Sequence, residues 1–119
     1  MQNDFPTTQV NFTDKFKRNL RILAKKYRNI RQDIQPVIAK LESGELPGDV
    51  VSGVSYTIFK LRVKNSDIRK GKSGGYRVIY YLKTKTQVIL ITIYSKSEQE
   101  DIAASEIKDI ITDYEKENS

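Results

Sequence analysis

The sequence predicts an α+β domain: an N-terminal helical hairpin packed on a small antiparallel β-sheet, with a C-terminal helix. Three observations lead to this prediction. Apolar residues recur at helical spacing twice before residue 44, three segments between residues 56 and 94 have the pattern of strands, and helical spacing returns after residue 97. Because 119 residues is about the size of one domain, we expect a single domain over residues 1–119.

The N-terminal part opens with a short candidate strand at residues 9–12, and Thr13 or Asp14 is then expected to cap a first helix. This helix has one apolar stripe and one basic face. We interpret the stripe as the core face of a helical hairpin rather than as a membrane-surface helix, because a second stripe follows it. The first stripe consists of Phe12, Phe16, Leu20, Leu23 and Tyr27; the basic face consists of Lys15, Lys17, Arg18, Arg21, Lys25, Lys26 and Arg28.

The second helix is predicted from another apolar stripe and is expected to end before Gly44. Pro36 lies within this segment, and proline disturbs a helix interior. We therefore expect either a late start near Gln32 or a bend at the proline. Residues 44–49 are expected to form a loop. The stripe consists of Ile30, Ile34, Val37, Ile38 and Leu41.

Three strands are predicted next, over residues 56–64, 76–83 and 88–94, with a turn at 84–87. Successive strands this close together are expected to pair antiparallel. In the first strand, one face would pack on the helices and the other would carry cations spaced about 7 Å apart. The apolar face consists of Thr57, Phe59, Leu61 and Val63, and the cationic face of Lys60, Arg62 and Lys64; Ile89, Ile91 and Ile93 are expected on the core face of the last strand.

The C-terminal helix is expected to begin at Ser97, because Ser97 and Glu100 have the spacing of a capping box. Its apolar positions are spaced for burial and its other face is acidic. The buried set is expected to be Ile102, Ile107, Ile110, Ile111 and Tyr114.

The charge is unevenly distributed along the chain, which has a net charge of +6. Residues 56–97 contain ten Lys and Arg against one Asp, whereas residues 98–119 contain two Lys against eight Asp and Glu. A net charge of +9 in the middle segment favours a polyanionic partner, and nucleic acid is the first candidate.

With no apolar run of about 20 residues and no signal-peptide pattern, we expect a cytoplasmic protein.

The absence of cysteine and histidine excludes disulfides, thiolate metal sites and every His-dependent catalytic triad. We expect no metal and no cofactor.

The Gly71-Lys72-Ser73 sequence invites comparison with a nucleotide-binding phosphate loop. That loop needs a glycine where this chain has Ser66, and it must open a helix, whereas residues 76–82 favour a strand.

The cations of the middle segment form a candidate phosphate site. Arg77 would neighbour Lys60 and Arg62 across the sheet, with Lys70 and Lys72 of the glycine-containing loop above them. RNA carries its own nucleophile, the 2′-hydroxyl, and a lysine crowded by like charges could act as base or acid. The residues alone leave two alternatives open: a surface that cleaves RNA and a surface that only binds it.

Three motifs resemble the RelE/HigB branch of the RelE/ParE toxin superfamily: KLRVK at 60–64, KGKSGGYRVIYY at 70–81 and IYSKSEQEDI at 93–102. The resemblance runs from about Phe12 to Ile111 and implies the RelE-like fold. It implies an endoribonuclease that cuts messenger RNA on the ribosome and is neutralised by a cognate antitoxin, through which the complex could bind operator DNA. It implies catalytic roles for Lys60, Arg62, Arg77 and Lys96, and RNA or phosphate contacts for Lys64, Lys70, Lys72, Tyr81 and Tyr94.

Two positions depart from that family pattern. Relatives of the RelE type have a functional tyrosine near the position of Ile102 and an arginine at the position of Ser97. Tyr94 or Tyr81 could substitute for the tyrosine, although tyrosine in a strand more often packs in a core. Two alternatives remain: a ParE-like non-enzymatic toxin that inhibits DNA gyrase, and an RNA-binding module without activity.

Overall fold

A computed structural model describes residues 7–68 and 74–118. Within this part of the chain it contains three helices and five strands. In chain order they are β1 (Gln9–Phe12), α1 (Asp14–Lys26), α2 (Ile30–Glu42), β2 (Asp49–Val50), β3 (Ile58–Val63), β4 (Tyr76–Thr84), β5 (Gln87–Ser95) and α3 (Ala104–Glu117). The α+β class, the helical hairpin and the C-terminal helix are therefore confirmed.

The five strands form one sheet in the order β1-β5-β4-β3-β2. Strands β2 to β5 pair antiparallel with their neighbours, but β1 pairs parallel to β5. The sheet is thus mixed rather than wholly antiparallel as predicted. The parallel pair is possible because the helical hairpin and three further strands separate β1 from β5 in sequence. The two-residue strand β2 was not predicted; it pairs with β3 at the sheet edge.

Helices α1 and α2 cover one face of the sheet. Phe16 and Leu23 of α1 and Ile30 of α2 are buried against the sheet, as the two apolar stripes predicted. From β3, Phe59, Leu61 and Val63 belong to the same core. This packing turns the alternate residues of β3, Lys60 and Arg62, to the opposite face.

Helix α3 covers part of that opposite face. Its Ile107 and Ile111 are buried against Ile58, Ile79 and Tyr81 in a second core. The sheet therefore lies between a two-helix layer and a single helix that occupies part of the other side.

Among the described residues, no helix has the length and apolar character needed to cross a membrane.

A β-bulge in β5 corrects one prediction about its core face. The pairing with β4 shifts between Ile79 and Tyr80, so that Ile91 has no partner in the register. An extra residue breaks the two-residue alternation of faces. As a result Ile89 and Ile91 pack on the α3 side, whereas Ile93 packs on the side of α1 and α2.

Two helix boundaries also differ from the predictions. Helix α2 begins at Ile30 and contains Pro36, so the late start near Gln32 was wrong. Pro36 is exposed, so water can hydrate the carbonyl that loses its backbone partner. Ile30, in contrast, is fully buried, and this packing holds the first turn in place.

Helix α3 begins at Ala104 rather than at Ser97. The capping box does not form because the Ser97 hydroxyl lies 3.0 Å from the Ser95 hydroxyl, and the backbone amides of Glu98 and Gln99 donate to the Ser95 carbonyl. These bonds make a turn directly after β5. Residues 96–103 therefore form a non-helical connection, which we call the β5–α3 connection.

Candidate functional site

Strands β3 and β4 place three of the predicted site cations on one face of the sheet. Arg62 pairs directly with Arg77 in the register, and Lys60 lies two residues before Arg62 on the same strand. Side chains directly opposite each other in an antiparallel pair have Cβ atoms about 5 Å apart. This is the face that α3 partly covers, but the three cations lie toward the end of the sheet where β3 ends and β4 begins.

The glycine before β4 fixes how Arg77 enters the sheet. Gly75 has φ of +119°, and a Cβ atom placed on it would lie 2.9 Å from the carbonyl oxygen of Val63. Its own carbonyl accepts a hydrogen bond of 2.9 Å from the backbone amide of Lys96. Gly75 thus connects the ends of β3 and β5 beside Arg77 and brings Lys96 to the same end of the sheet.

Two of the predicted site cations are held by the β5–α3 connection. The ammonium of Lys60 lies 2.6 Å from Oδ1 of Asp101, and the ammonium of Lys96 donates a 2.7 Å hydrogen bond to the Glu100 carbonyl. Hydrogen bonding from Lys60 is the main reason that the pKa of Asp101 lies below its ordinary value, and the charge of Lys96 acts in the same direction. We call Lys60, Arg62, Arg77 and Lys96 together the cationic surface.

Tyr94 lies beside this surface but is buried. It pairs with Arg77 across β4 and β5, is 5% exposed, and its hydroxyl has no hydrogen-bond partner within the described residues. Burial raises the pKa of Tyr94, Asp101 raises it further and Arg77 opposes the shift. The hydroxyl is therefore neutral near pH 7 and could donate a proton but not accept one as a phenolate.

The other residues predicted to contact RNA have different positions. Tyr81 is buried under α3 and packs edge-on against Tyr56 at 5.3 Å, so its ring is not available for stacking on a base. Lys64 is exposed just beyond the end of β3. Lys70 and Lys72 lie outside the described residues.

Asp101 was not predicted as a site residue. It falls in the stretch that the capping-box pattern assigned to a helix, where it would have been one acidic residue of a solvent-facing surface. The neighbouring Ile102 packs against the second core, so it contributes no polar group at the position where the resemblance implies a tyrosine. The sequence did contain a signal for a connection: the strand pattern ends at Ser95, and no apolar residue follows before Ile102.

The arginine pair is electrostatically costly for an isolated protein. Like charges directly opposite each other on neighbouring strands destabilise a sheet. The Arg77 guanidinium donates a 3.3 Å hydrogen bond to the Tyr76 carbonyl. Guanidinium groups bind phosphate oxygens as bidentate donors, and an anion bound by both arginines would offset their repulsion. The arrangement therefore fits a phosphate of a larger ligand.

The chain is thus a small three-layer α/β/α protein with a cationic surface at one end of its sheet. A family model described as the RelE toxin of the RelE / RelB toxin-antitoxin system matches residues 8–116. Because the match covers nearly the whole chain, the chain belongs to the RelE toxin family. It is thus a toxin of the toxin–antitoxin kind, and membership of the family implies a cognate antitoxin.

Proposed function

We propose that this protein is a ribosome-dependent endoribonuclease that cleaves messenger RNA and so inhibits translation. The observation that carries the proposal is the arginine pair, Arg62 opposite Arg77, with Lys60 on the same face. Membership of the RelE toxin family supports it, since cleavage of messenger RNA on the ribosome is the general activity of that family. The proposal extends to the HigB-like branch, which the motifs at 60–64, 70–81 and 93–102 resemble.

The reaction is a transesterification that needs no metal. The 2′-oxygen of a ribose forms a bond to the adjacent phosphorus, and the bond from phosphorus to the 5′-oxygen breaks. The products are a 2′,3′-cyclic phosphate and a free 5′-hydroxyl. Arg62 and Arg77 bind the non-bridging oxygens and stabilise the charge that develops on them. DNA has no 2′-hydroxyl, so the same surface cannot cut DNA in this way.

The proton transfers fall to the groups around the arginine pair. One must accept the proton of the 2′-hydroxyl and another must protonate the leaving 5′-oxygen. Lys60 and Lys96 lie at the cationic surface and are its candidate proton carriers. Tyr94, neutral and beside Arg77, is a further candidate donor.

The partners proposed for this toxin follow from its charge and its sheet edges. The ribosome and its message are polyanions that match the net charge of +9 in residues 56–97. An acidic antitoxin could neutralise the same charge or add a strand at β2, where Val50 is 65% exposed. The antitoxin would carry any binding to operator DNA, and the complex would act in the cytoplasm.

In vitro translation followed by primer extension on the message tests the proposal. We expect cuts at defined codon positions with the wild-type protein, and a loss of about 100-fold in cleavage rate for Arg77→Ala, as for removal of one donor to a developing oxyanion. Lys85→Ala is the matched control, because it removes one exposed cation from the β4–β5 turn at the opposite end of the sheet.

Two outcomes would contradict the proposal. An intact message in the presence of folded wild-type protein, together with inhibited DNA supercoiling, would favour the gyrase-inhibiting alternative. Equal loss of cleavage in Arg77→Ala and Lys85→Ala would mean that total charge, rather than the arginine pair, determines activity.

A further inference from the structure

Asp101 is a carboxylate placed inside a surface of positive charge. Its Oδ1 accepts hydrogen bonds from the Lys60 ammonium at 2.6 Å and from the Ile102 amide at 2.8 Å. The side chain of Asp101 is 64% exposed and that of Lys60 is 33% exposed. The ion pair therefore lies at the solvent-exposed rim of the cationic surface.

The β5–α3 connection is organised around the same residue. The Asp101 carbonyl accepts a 2.9 Å hydrogen bond from the Gln99 side chain, and the preceding carbonyl, that of Glu100, holds the ammonium of Lys96. The ammonium groups of Lys60 and Lys96 thus bond adjacent residues of one short segment, Asp101 and Glu100. The Asp101 carboxylate ties this segment to Lys60 of β3, and the Glu100 carbonyl beside it directs the ammonium of Lys96.

Neither stability nor RNA affinity explains a carboxylate at this place. Exposed ion pairs contribute little to folding. A negative charge beside a phosphate site weakens phosphate binding by simple Coulomb repulsion. What the pair does achieve is to restrict a long, flexible lysine side chain to one direction, which the chemistry of a reacting phosphate requires.

We propose that Asp101 is a positioning residue, which holds the ammonium group of Lys60 directly, and that of Lys96 through the adjacent Glu100 carbonyl, in fixed places relative to Arg62 and Arg77. This inference rests on the proposed RNA cleavage. Asp101 acts through the two lysines and does not itself touch the RNA. Its substitution must therefore reduce the rate of cleavage without reducing the affinity for RNA.

The test compares binding and cleavage in Asp101→Asn. Affinity is measured with ribosomes programmed with a message that has a 2′-deoxy nucleotide at the cut site, and the rate is measured in single turnover with the all-ribose message. We expect affinity equal to wild type or higher by up to about threefold, because one repulsive charge is lost. We expect cleavage slower by roughly 10- to 100-fold, the effect of misplacing reacting groups.

Two further variants complete the design. Asp101→Glu keeps the carboxylate and should recover cleavage to within about fivefold of wild type, because a carboxylate can still hold the ammonium of Lys60. Glu115→Gln is the matched control: it removes another ion pair between the sheet and the C-terminal segment, Lys83 with Glu115 at 3.0 Å, away from the cationic surface. It should leave both binding and cleavage unchanged.

Each other result overturns the inference. Parallel losses of binding and cleavage in Asp101→Asn would show a purely structural role, and faster cleavage with tighter binding would show an inhibitory carboxylate. Wild-type cleavage by Asp101→Asn would reject the positioning role alone. Failure of the wild-type protein itself to cut the message would instead reject the proposed function, and this inference with it.

Discussion

Gly75 is the residue on which the geometry of the cationic surface depends most directly. Its backbone has a positive φ that other residues rarely adopt, and it passes close to the Val63 carbonyl on one side while its own carbonyl bonds the Lys96 amide on the other. A side chain at this position would push apart the strands that carry Arg62 and Arg77. The glycine is therefore required by the approach of three strand ends, and not by flexibility of the loop.

We expect Gly75→Ala to lower the free energy of unfolding by about 1–3 kcal/mol, because alanine at φ of +119° is strained and its Cβ would meet the Val63 oxygen at 2.9 Å. Urea denaturation of the purified protein measures this. Gly74→Ala is the matched control: its Cβ would meet the end of the Ile68 side chain at 3.1 Å, and that side chain can move. Equal destabilisation by the two substitutions would contradict the argument.

Among the elements, α1 is tied to the sheet through its first capping residue. The Thr13 hydroxyl accepts a 3.0 Å hydrogen bond from the Phe16 amide and donates one of 2.6 Å to the carbonyl of Ile91, the bulge residue of β5. Thr13 is buried, so neither partner can turn to water if the hydroxyl is removed. One side chain thus caps α1 and also donates a hydrogen bond to the backbone carbonyl of the bulge residue.

Thr13→Val should destabilise the protein by about 2–3 kcal/mol, because the valine has nearly the same shape but leaves a buried amide and a buried carbonyl without partners. Thr13→Ser keeps the hydroxyl and should cost about 1 kcal/mol, the contribution of one buried methyl group. The shift in urea midpoint distinguishes them. If the serine variant is as unstable as the valine variant, packing rather than hydrogen bonding holds this end of α1.

The elements that could be predicted from sequence are those in which the spacing of apolar and charged residues shows which face is buried. The alternation of Phe59, Lys60, Leu61 and Arg62 identified both faces of β3, and Arg77 was correctly placed beside Lys60 and Arg62 because hairpin strands pair with their neighbours. The helical stripes likewise identified the residues that pack on the sheet.

The features that were not predicted depend on contacts distant in sequence. The parallel pairing of β1 with β5, the bulge at Ile91 and the bond between Lys60 and Asp101 each join residues that no local pattern relates. The capping-box pattern at Ser97 failed for the same reason, since Ser95 at the end of the sheet engages the groups that would have formed it. Local signals compete with tertiary contacts, and at the β5–α3 connection the tertiary contacts prevail.

At the scale of the whole molecule, opposite charges are divided between two parts of one face. The four cations of the cationic surface lie on and beside the uncovered end of the sheet, whereas α3, from a segment of net charge −6, covers the other part. In the proposed function, this separation would direct an RNA strand to one end of the sheet and away from α3. Binding should therefore depend on a few identified cations rather than on the net charge of the protein.

This division of charge predicts the salt dependence of RNA binding. With four phosphate contacts, the logarithm of the binding constant for a single-stranded 2′-deoxy oligonucleotide should fall with the logarithm of salt concentration with a slope of about −3. Arg62→Ala should make the slope shallower by about 0.7, the contribution of one phosphate contact, whereas Lys85→Ala should leave it unchanged. Fluorescence anisotropy over a salt series measures all three slopes. If the two variants change the slope equally, or if the wild-type slope is near zero, the strand is not bound by the cationic surface.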